Sequence, residues 1–278
     1  MFRVVRSPCR LVLHFQTYSG RRASRANHKT SQQLLSQASP FVAACVAEFI
    51  GTFGLVFAGC GAIMVDKLSG GKVTHVGVGL VFGLIIAAMI YATGHLSGAH
   101  LNPAVTLGFV LARHFPSTRL LGYWLAQTAG AICAAIALRL LFGDVAHLGA
   151  TVPAGSAGQS FFLEALLTFF LMFVIMAVAT DTRAVGSGAA LAIGATVGLE
   201  ALFAGPISGA SMNPARSFGP ALLSWTWSAQ WIYLTAPFLG AAAAALLYRW
   251  LRVMSQHTVH AASNAANAPR STRSEESQ

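Results

Sequence analysis

The residues whose types and spacing carry the clearest chemistry occur twice. Gly94-His-Leu-Ser-Gly-Ala-His-Leu-Asn-Pro-Ala-Val-Thr106 recurs as Gly205-Pro-Ile-Ser-Gly-Ala-Ser-Met-Asn-Pro-Ala-Arg-Ser217, at an offset of 205 − 94 = 111 positions. Each copy sets an asparagine, Asn102 or Asn213, directly before a short apolar stretch led by proline, Pro103–Leu111 and Pro214–Leu223. Proline is favoured at the first position of a helix, so both asparagines stand at helix starts. A helix start leaves backbone N–H groups unpaired and carries about half a positive charge. The asparagine side chain adds an NH₂ donor. Two such ends facing each other would present donors to the oxygen of a neutral molecule and repel cations. The Ser-Gly-Ala runs ahead of them, with the carbonyls of Gly98, Ala99, His100 and Gly209, would supply a row of acceptors. Irregular backbone does this inside a bilayer only where it lines a cavity. This is the chemistry of passage. Bond-making chemistry lacks its parts: no His-Glu-x-x-His and no Gly-x-Ser-x-Gly is present. Cys9, Cys45, Cys60 and Cys133 show neither metal-ligand nor disulfide spacing and read as small hydrophobes. No cofactor and no metal are expected.

The elements that position these motifs must be membrane helices. Only 9% of residues are charged and 55% are hydrophobic, against roughly 25% charged in a soluble domain. Spans of about 20 apolar residues are expected near Phe41–Met64, Val76–Thr93, Leu120–Leu141, Ser160–Thr180, Ser187–Phe203 and Ala229–Leu251. The two proline-led stretches are too short to span and read as re-entrant half-helices. Each half of the chain therefore holds three spans and one half-helix, and an odd number of spans inverts the second half relative to the first. The half-helices then enter from opposite faces and meet near the midplane. Glu48 and Glu164 sit symmetrically in the first span of each half. Acids in spans suggest proton relays, but this symmetry favours a structural task, accepting hydrogen bonds from the buried N–H groups of the re-entrant loops. Glu200 has no partner in the first half and is expected to pack or hydrogen-bond behind the pore. His100 is expected to contribute its backbone carbonyl, and His95 to pack in the first re-entrant loop, with pH sensing as the less favoured role.

The formal charge of +10 divides unevenly. Residues 1–47 carry seven basic residues and no acid, residues 48–248 carry seven basic and six acidic, and residues 249–278 carry four basic and two acidic. The excess is therefore an N-terminal extension rather than a basic nucleic-acid face, and no nucleic-acid partner is expected. Arg113, Arg119, Arg183, Arg249 and Arg252 fall on the side of the N-terminus. Lys67, Lys72 and Arg139 beside Asp144 fall on the other. The positive-inside rule then puts both termini in the cytoplasm. Residues 1–40 are expected to be a disordered basic extension, with a transit peptide or a misassigned start as the other readings. Residues 41–251 form the channel domain, with repeats at about 41–141 and 160–251, and residues 252–278 a disordered tail.

The paired motifs Asn102-Pro103-Ala104 and Asn213-Pro214-Ala215, the second followed by Arg216, resemble the signature of the aquaporin/glycerol-facilitator (major intrinsic protein) superfamily over about residues 41–251. The resemblance implies an all-α membrane fold: a right-handed bundle of six transmembrane helices plus two re-entrant half-helices in an inverted repeat. It also implies a homotetramer with one pore per subunit, and a selectivity filter at Phe82, Ala201, Ala210 and Arg216. Water-only members of the family typically carry His where Ala201 stands, so a wider and more apolar filter is expected. Ser217 stands where glycerol facilitators usually have Asp. Ser217, Ala221 and Tyr233-Leu234, with the stretch from Phe203 to Ser217, look most like nodulin-26-like channels and their bacterial relatives.

The expected function is a passive channel for water and small uncharged solutes, glycerol or undissociated metalloid acids among them, in a multi-pass protein of the cell membrane. A water-specific channel is the alternative. A coupled secondary transporter is remote, because coupling-ion sites need more intramembrane ligands than two symmetric glutamates and Glu200. A junctional or scaffolding role is compatible with the same sequence.

Overall fold

The structure, a computed structural model, describes residues 40–180 and 188–266, with side chains as far as Ser255. The basic extension with Cys9, the residue Arg183 and the last twelve positions lie outside the described residues. The chain divides into residues 1–40 and residues 41–278, and the second unit carries the elements that follow.

Among the described residues, eight α-helices occur in the order α1 Pro40–Leu68, α2 Thr74–Ser97, α3 Pro103–Leu111, α4 Leu120–Phe142, α5 Ala157–Thr180, α6 Ala189–Ser208, α7 Pro214–Ser224 and α8 Gln230–Ala266. Six of these segments have the length and mean hydropathy, between 1.5 and 2.5, to cross a membrane. The two short ones, α3 and α7, are the expected half-helices, and each has Pro at its first turn. The last helix runs on to Ala266, past Leu251, where the apolar pattern ends and a disordered tail was expected. Alanine-rich sequence without an internal glycine or proline after Gly240 sustains a helix even where it is polar.

The bundle is polar at its centre and apolar outside. Leu84, Leu121, Leu125 and Leu140 are among the many large apolar side chains left exposed, while Glu48, Glu164, Gln127, Thr106 and Ser217 are fully buried. That distribution suits a lipid solvent, since lipid tails are as apolar as leucine and only buried polar groups must find partners within the protein.

Because lipid provides no hydrophobic drive between helices, close packing must hold them together, and glycine does this at named points. An ideal Cβ on Gly83 of α2 would lie 2.6 Å from the Gly194 carbonyl oxygen of α6, and one on Gly194 would lie 2.5 Å from the Gly83 oxygen. The two positions differ by 194 − 83 = 111, the offset of the motif repeat. Their reciprocal contact therefore marks the pseudo-two-fold axis relating the halves. Gly130 against Phe49 and Gly240 against Ala165 make comparable backbone-to-backbone contacts, with ideal Cβ distances of 2.4 and 2.1 Å to the facing carbonyl oxygens.

Candidate functional site

Both re-entrant loops begin as a spanning helix runs out. Gly98 and Gly209 cap α2 and α6 in left-handed conformation, with φ +86° and +88°. Ala99 and Ala210 follow at φ +48° and +41°, and Leu101 and Met212 at φ +51° and +54°. Each pair is again 111 apart. Left-handed conformation in a residue with a side chain costs about 1–3 kcal/mol, so the surroundings must hold each loop in place.

The two glutamates do so. Glu48 Oε1 accepts from Ser97 Oγ (2.7 Å) and His100 N (2.8 Å), and its Oε2 from Leu101 N (2.6 Å) and Gln127 Nε2 (2.8 Å). Glu164 Oε1 accepts from Ser208 Oγ (2.7 Å) and Ser211 N (2.9 Å), and its Oε2 from Met212 N (2.8 Å). Tyr123 and Tyr233 donate their hydroxyls to the carbonyls of Ser97 and Ser208, at 2.8 and 2.6 Å. With its N–H groups bound on one side, each loop is left with carbonyls for the other.

The two helix starts meet. Asn102 Nδ2 donates to the Met212 carbonyl at 2.7 Å, and Asn213 Nδ2 to the Leu101 carbonyl at 2.8 Å. Each amide oxygen caps its own half-helix, Asn102 Oδ1 accepting from Ala104 N (2.9 Å) and Asn213 Oδ1 from Ala215 N (3.0 Å) and Arg216 N (3.3 Å). An NH₂ group has two hydrogens, so each asparagine spends one on bracing the opposite loop and keeps one. Both residues line a cavity of about 110 Å³, together with Phe82, Ala210, Arg216, Gly98, Ala99, His100 and an aliphatic wall that includes Ile86, Ile175, Ile193 and Val197. One polar stripe along apolar walls orients a small hydroxyl-bearing molecule without holding it tightly.

Arg216 is 2% exposed. Its Nη1 donates to the Gly149 carbonyl at 2.9 Å, and its guanidinium centre lies 5.1 Å from the centre of the Phe82 ring. Arg216 Nε has no hydrogen-bond partner among the described residues. Phe82, Ala210 and Arg216 are thus gathered at the cavity.

Two expected positions stand apart from it. Ala201 is buried but is not among the residues lining the cavity. Gly209 is also absent from the lining. It packs against Thr151, whose Cγ2 would be 2.9 Å from an ideal Cβ there, and Ser211 and Met212 line the cavity instead. His95 belongs to the exposed last turn of α2 rather than to the loop. The His100 side chain packs against the rings of Phe109, Phe115 and Tyr123 at 4.5, 4.8 and 5.2 Å, with Nδ1 3.2 Å from Thr106 Oγ1. Ser217 is fully buried and accepts from Thr151 Oγ1 at 2.8 Å, so it faces the protein. Glu200 is 4% exposed, and its Oε2 has no hydrogen-bond partner among the described residues.

The supporting roles of several residues were not read from the sequence. Ser97 and Ser208, and Tyr123 and Tyr233, recur at offsets of 111 and 110, so the repeat held a signal for them. Gln127, Gly149 and Thr151 have no counterpart in the other half and leave no sequence signal.

A six-span bundle whose two inverted halves meet head to head at paired helix starts defines a membrane channel. The family model described as "Major intrinsic protein" matches residues 35–248. Aquaporin NIP1-4 of Oryza sativa subsp. japonica is 53% identical over 219 residues, covering 78% of this chain and 80% of that one. Nodulin-26 of Glycine max is 47% identical, covering 77% of this chain and 79% of its own length. The X-ray structure of the aquaglyceroporin from Plasmodium falciparum matches with a TM-score of 0.70 at 27% identity, over 75% of this chain and 96% of that one. The chain belongs to the major intrinsic protein family. It is a multi-pass membrane channel for water and small solutes, not an enzyme, and resembles the nodulin-26-like aquaporins.

Proposed function

We propose that this channel passes water together with a larger neutral solute, glycerol or an undissociated metalloid acid, through a filter formed by Phe82, Ala201, Ala210 and Arg216. The observation that carries the reading is the fixed guanidinium of Arg216 over the Phe82 ring, with Ala210 at the same cavity and the buried Ala201 adding only methyl groups. A fixed cation excludes cations, an aromatic face sets one wall, and the missing bulk leaves room for a carbon skeleton. The lining carbonyls and the remaining amide hydrogens of Asn102 and Asn213 pass a hydroxyl group along the polar stripe. A relative described as an aquaglyceroporin supports the same solute class.

Stopped-flow light scattering on proteoliposomes, with neutral solutes of graded size, tests the proposal. The unaltered channel is expected to pass water and glycerol. Ala201→His is expected to cut glycerol flux at least tenfold more than water flux, a difference of about 1.4 kcal/mol in barrier. Replacing Arg216 with a neutral residue is expected to raise cation leak before water flux changes, since the fixed charge acts mainly on ions. A channel that passes water but neither glycerol nor metalloid acids would be a water-specific channel instead.

Both termini are assigned to the cytoplasm, the cell membrane is the assigned location, and four subunits are the assigned assembly. Supporting the orientation, Arg249 Nη1 reaches the Leu111 carbonyl at 3.5 Å. Burial, and then the nearby Arg252 cation, hold the His114 imidazole below the usual histidine range. Basic residues therefore gather at the end of α3, as the positive-inside rule asks of a cytoplasmic face.

A further inference from the structure

We propose that His75 is a positioning residue for the filter: its imidazole replaces a helix hydrogen bond that Pro206 removes, and so fixes the wall that carries Ala201. This rests on the filter reading given above.

The argument starts at Pro206, which lies inside α6. Proline has no backbone N–H, so the carbonyl four residues earlier, that of Leu202, loses its helical partner. A carbonyl so freed, here at the partly exposed edge of the bundle, is open to another donor. His75 Nε2 lies 2.6 Å from the Leu202 oxygen, across 127 positions of sequence. A carbonyl oxygen only accepts, so Nε2 carries the hydrogen, which assigns the tautomer. Leu202 directly follows Ala201. His75 precedes Phe82 by 82 − 75 = 7 positions, two helical turns on the same side of α2. The bond therefore ties the helix bearing Phe82 to the helix bearing Ala201.

The surroundings are shaped for this ring. An ideal Cβ on Gly205 would lie 3.0 Å from His75 Cε1, so the imidazole packs where a larger residue would crowd it. The preceding residue, Thr74, has φ +64°, a strained value for a β-branched side chain. Asp66 Oδ1 holds it by accepting from Thr74 N at 2.8 Å, while Thr74 Oγ1 accepts from Gly77 N at 3.2 Å. The end of α1 thus fixes the backbone that aims His75.

The device belongs to one half only. The residue equivalent to Pro206, at 206 − 111 = 95, is His95, which keeps its N–H. The half with the proline is the half that supplies Ala201. Deeper in the bundle, the Gly83–Gly194 contact fixes the spacing of the same two helices. His75–Leu202 adds a second fixed point about 12 Å further along α2, at about 1.5 Å per residue over eight residues. Between two fixed points the helices cannot splay.

The test compares His75→Ala with His75→Gln, whose amide restores a donor, in the full chain in proteoliposomes. His75 is exposed, so both variants are expected to insert normally. In His75→Ala, water flux is expected to stay within about twofold, while flux of a solute larger than glycerol, erythritol, rises about fivefold, the factor equivalent to one net hydrogen bond. His75→Gln returns it to the original value. Hydrogen–deuterium exchange of the amides at the end of α6 is expected to quicken in His75→Ala and recover in His75→Gln. Unchanged exchange in His75→Ala, or a size cut-off that Gln does not restore, overturns the proposal. Ala201→His in the same assay separates the two readings. If that variant narrows the channel while His75→Ala leaves the cut-off unaltered, only the role of His75 falls. If it leaves the solute ratio unaltered, the filter reading falls, and the exchange measurement still decides whether His75 holds α6.

Discussion

Glu164→Leu is expected to yield no folded channel, with the monodisperse fraction in detergent and the osmotic flux per inserted chain both near background. The substitution is apolar and suits a span, so hydropathy alone would score it as an improvement. What it removes is the acceptor for Ser208 Oγ, Ser211 N and Met212 N at once. Each donor orphaned in a buried site costs about 1–3 kcal/mol, so the three together reach the order of 5 kcal/mol. The loop they leave unsupported also holds Ala210 and Met212 at positive φ, and that strain is tolerated only while the surroundings enforce it. Glu164→Gln separates acceptor capacity from shape. It keeps one carbonyl oxygen but turns an NH₂ donor toward groups that are themselves donors. An intermediate loss is expected, larger than an isosteric swap causes elsewhere. Glu48→Leu should fail in the same way, since it strands Ser97, His100, Leu101 and Gln127. A Glu164→Leu chain that folds and conducts would show that the loops stand without their acids.

The second large effect is expected at the axis between the halves. Gly83→Ala and Gly194→Ala each place a methyl group about 2.5 Å from a backbone oxygen on the facing helix. Backbone cannot swing aside as a side-chain tip can, so α2 and α6 must separate. Overpacking of this kind costs about 1–3 kcal/mol or more, and the thermal midpoint in detergent is expected to fall for both variants. The effects should not add in the double variant, because the first methyl already opens the contact that the second would meet. Gly94→Ala is the control. Its nearest neighbour to an ideal Cβ is an Ile90 methyl at 3.9 Å, and its midpoint should stay within the range of about 0.5 kcal/mol typical of uncrowded sites. Equal losses at all three glycines would mean that helix propensity, and not the axial contact, sets their cost.

Much of this was legible in the chain because it repeats. One offset of 111 links the half-helices, the asparagines, the capping glycines, the strained alanines and the axial glycines. A repeat with an odd number of spans can close only one way. Glu48 and Glu164 stand at equivalent places in the two halves and accept from loop N–H groups. Span edges were less legible. Hydropathy marks where lipid contact begins, whereas helices continue as long as backbone bonding permits, and so α1 reaches Leu68 and α8 reaches Ala266.

By itself the sequence determined the class of the protein: a chain with 9% charged residues, six apolar spans and two proline-led half-helices in duplicate must bury its few polar groups along a central path. Tertiary structure alone decided which polar groups pair with which. Ser217, a position that separates subclasses of the family, turned inward to Thr151 and Ser211. Gly149, in a connection with no repeat signal, became the acceptor that fixes Arg216. His75 met a carbonyl freed 127 positions away. The physical reason is common to all three. Helical periodicity and hydropathy report what a residue does to its own segment, but a hydrogen bond between segments depends on where two helices come to rest. Only the packing of the whole bundle sets that.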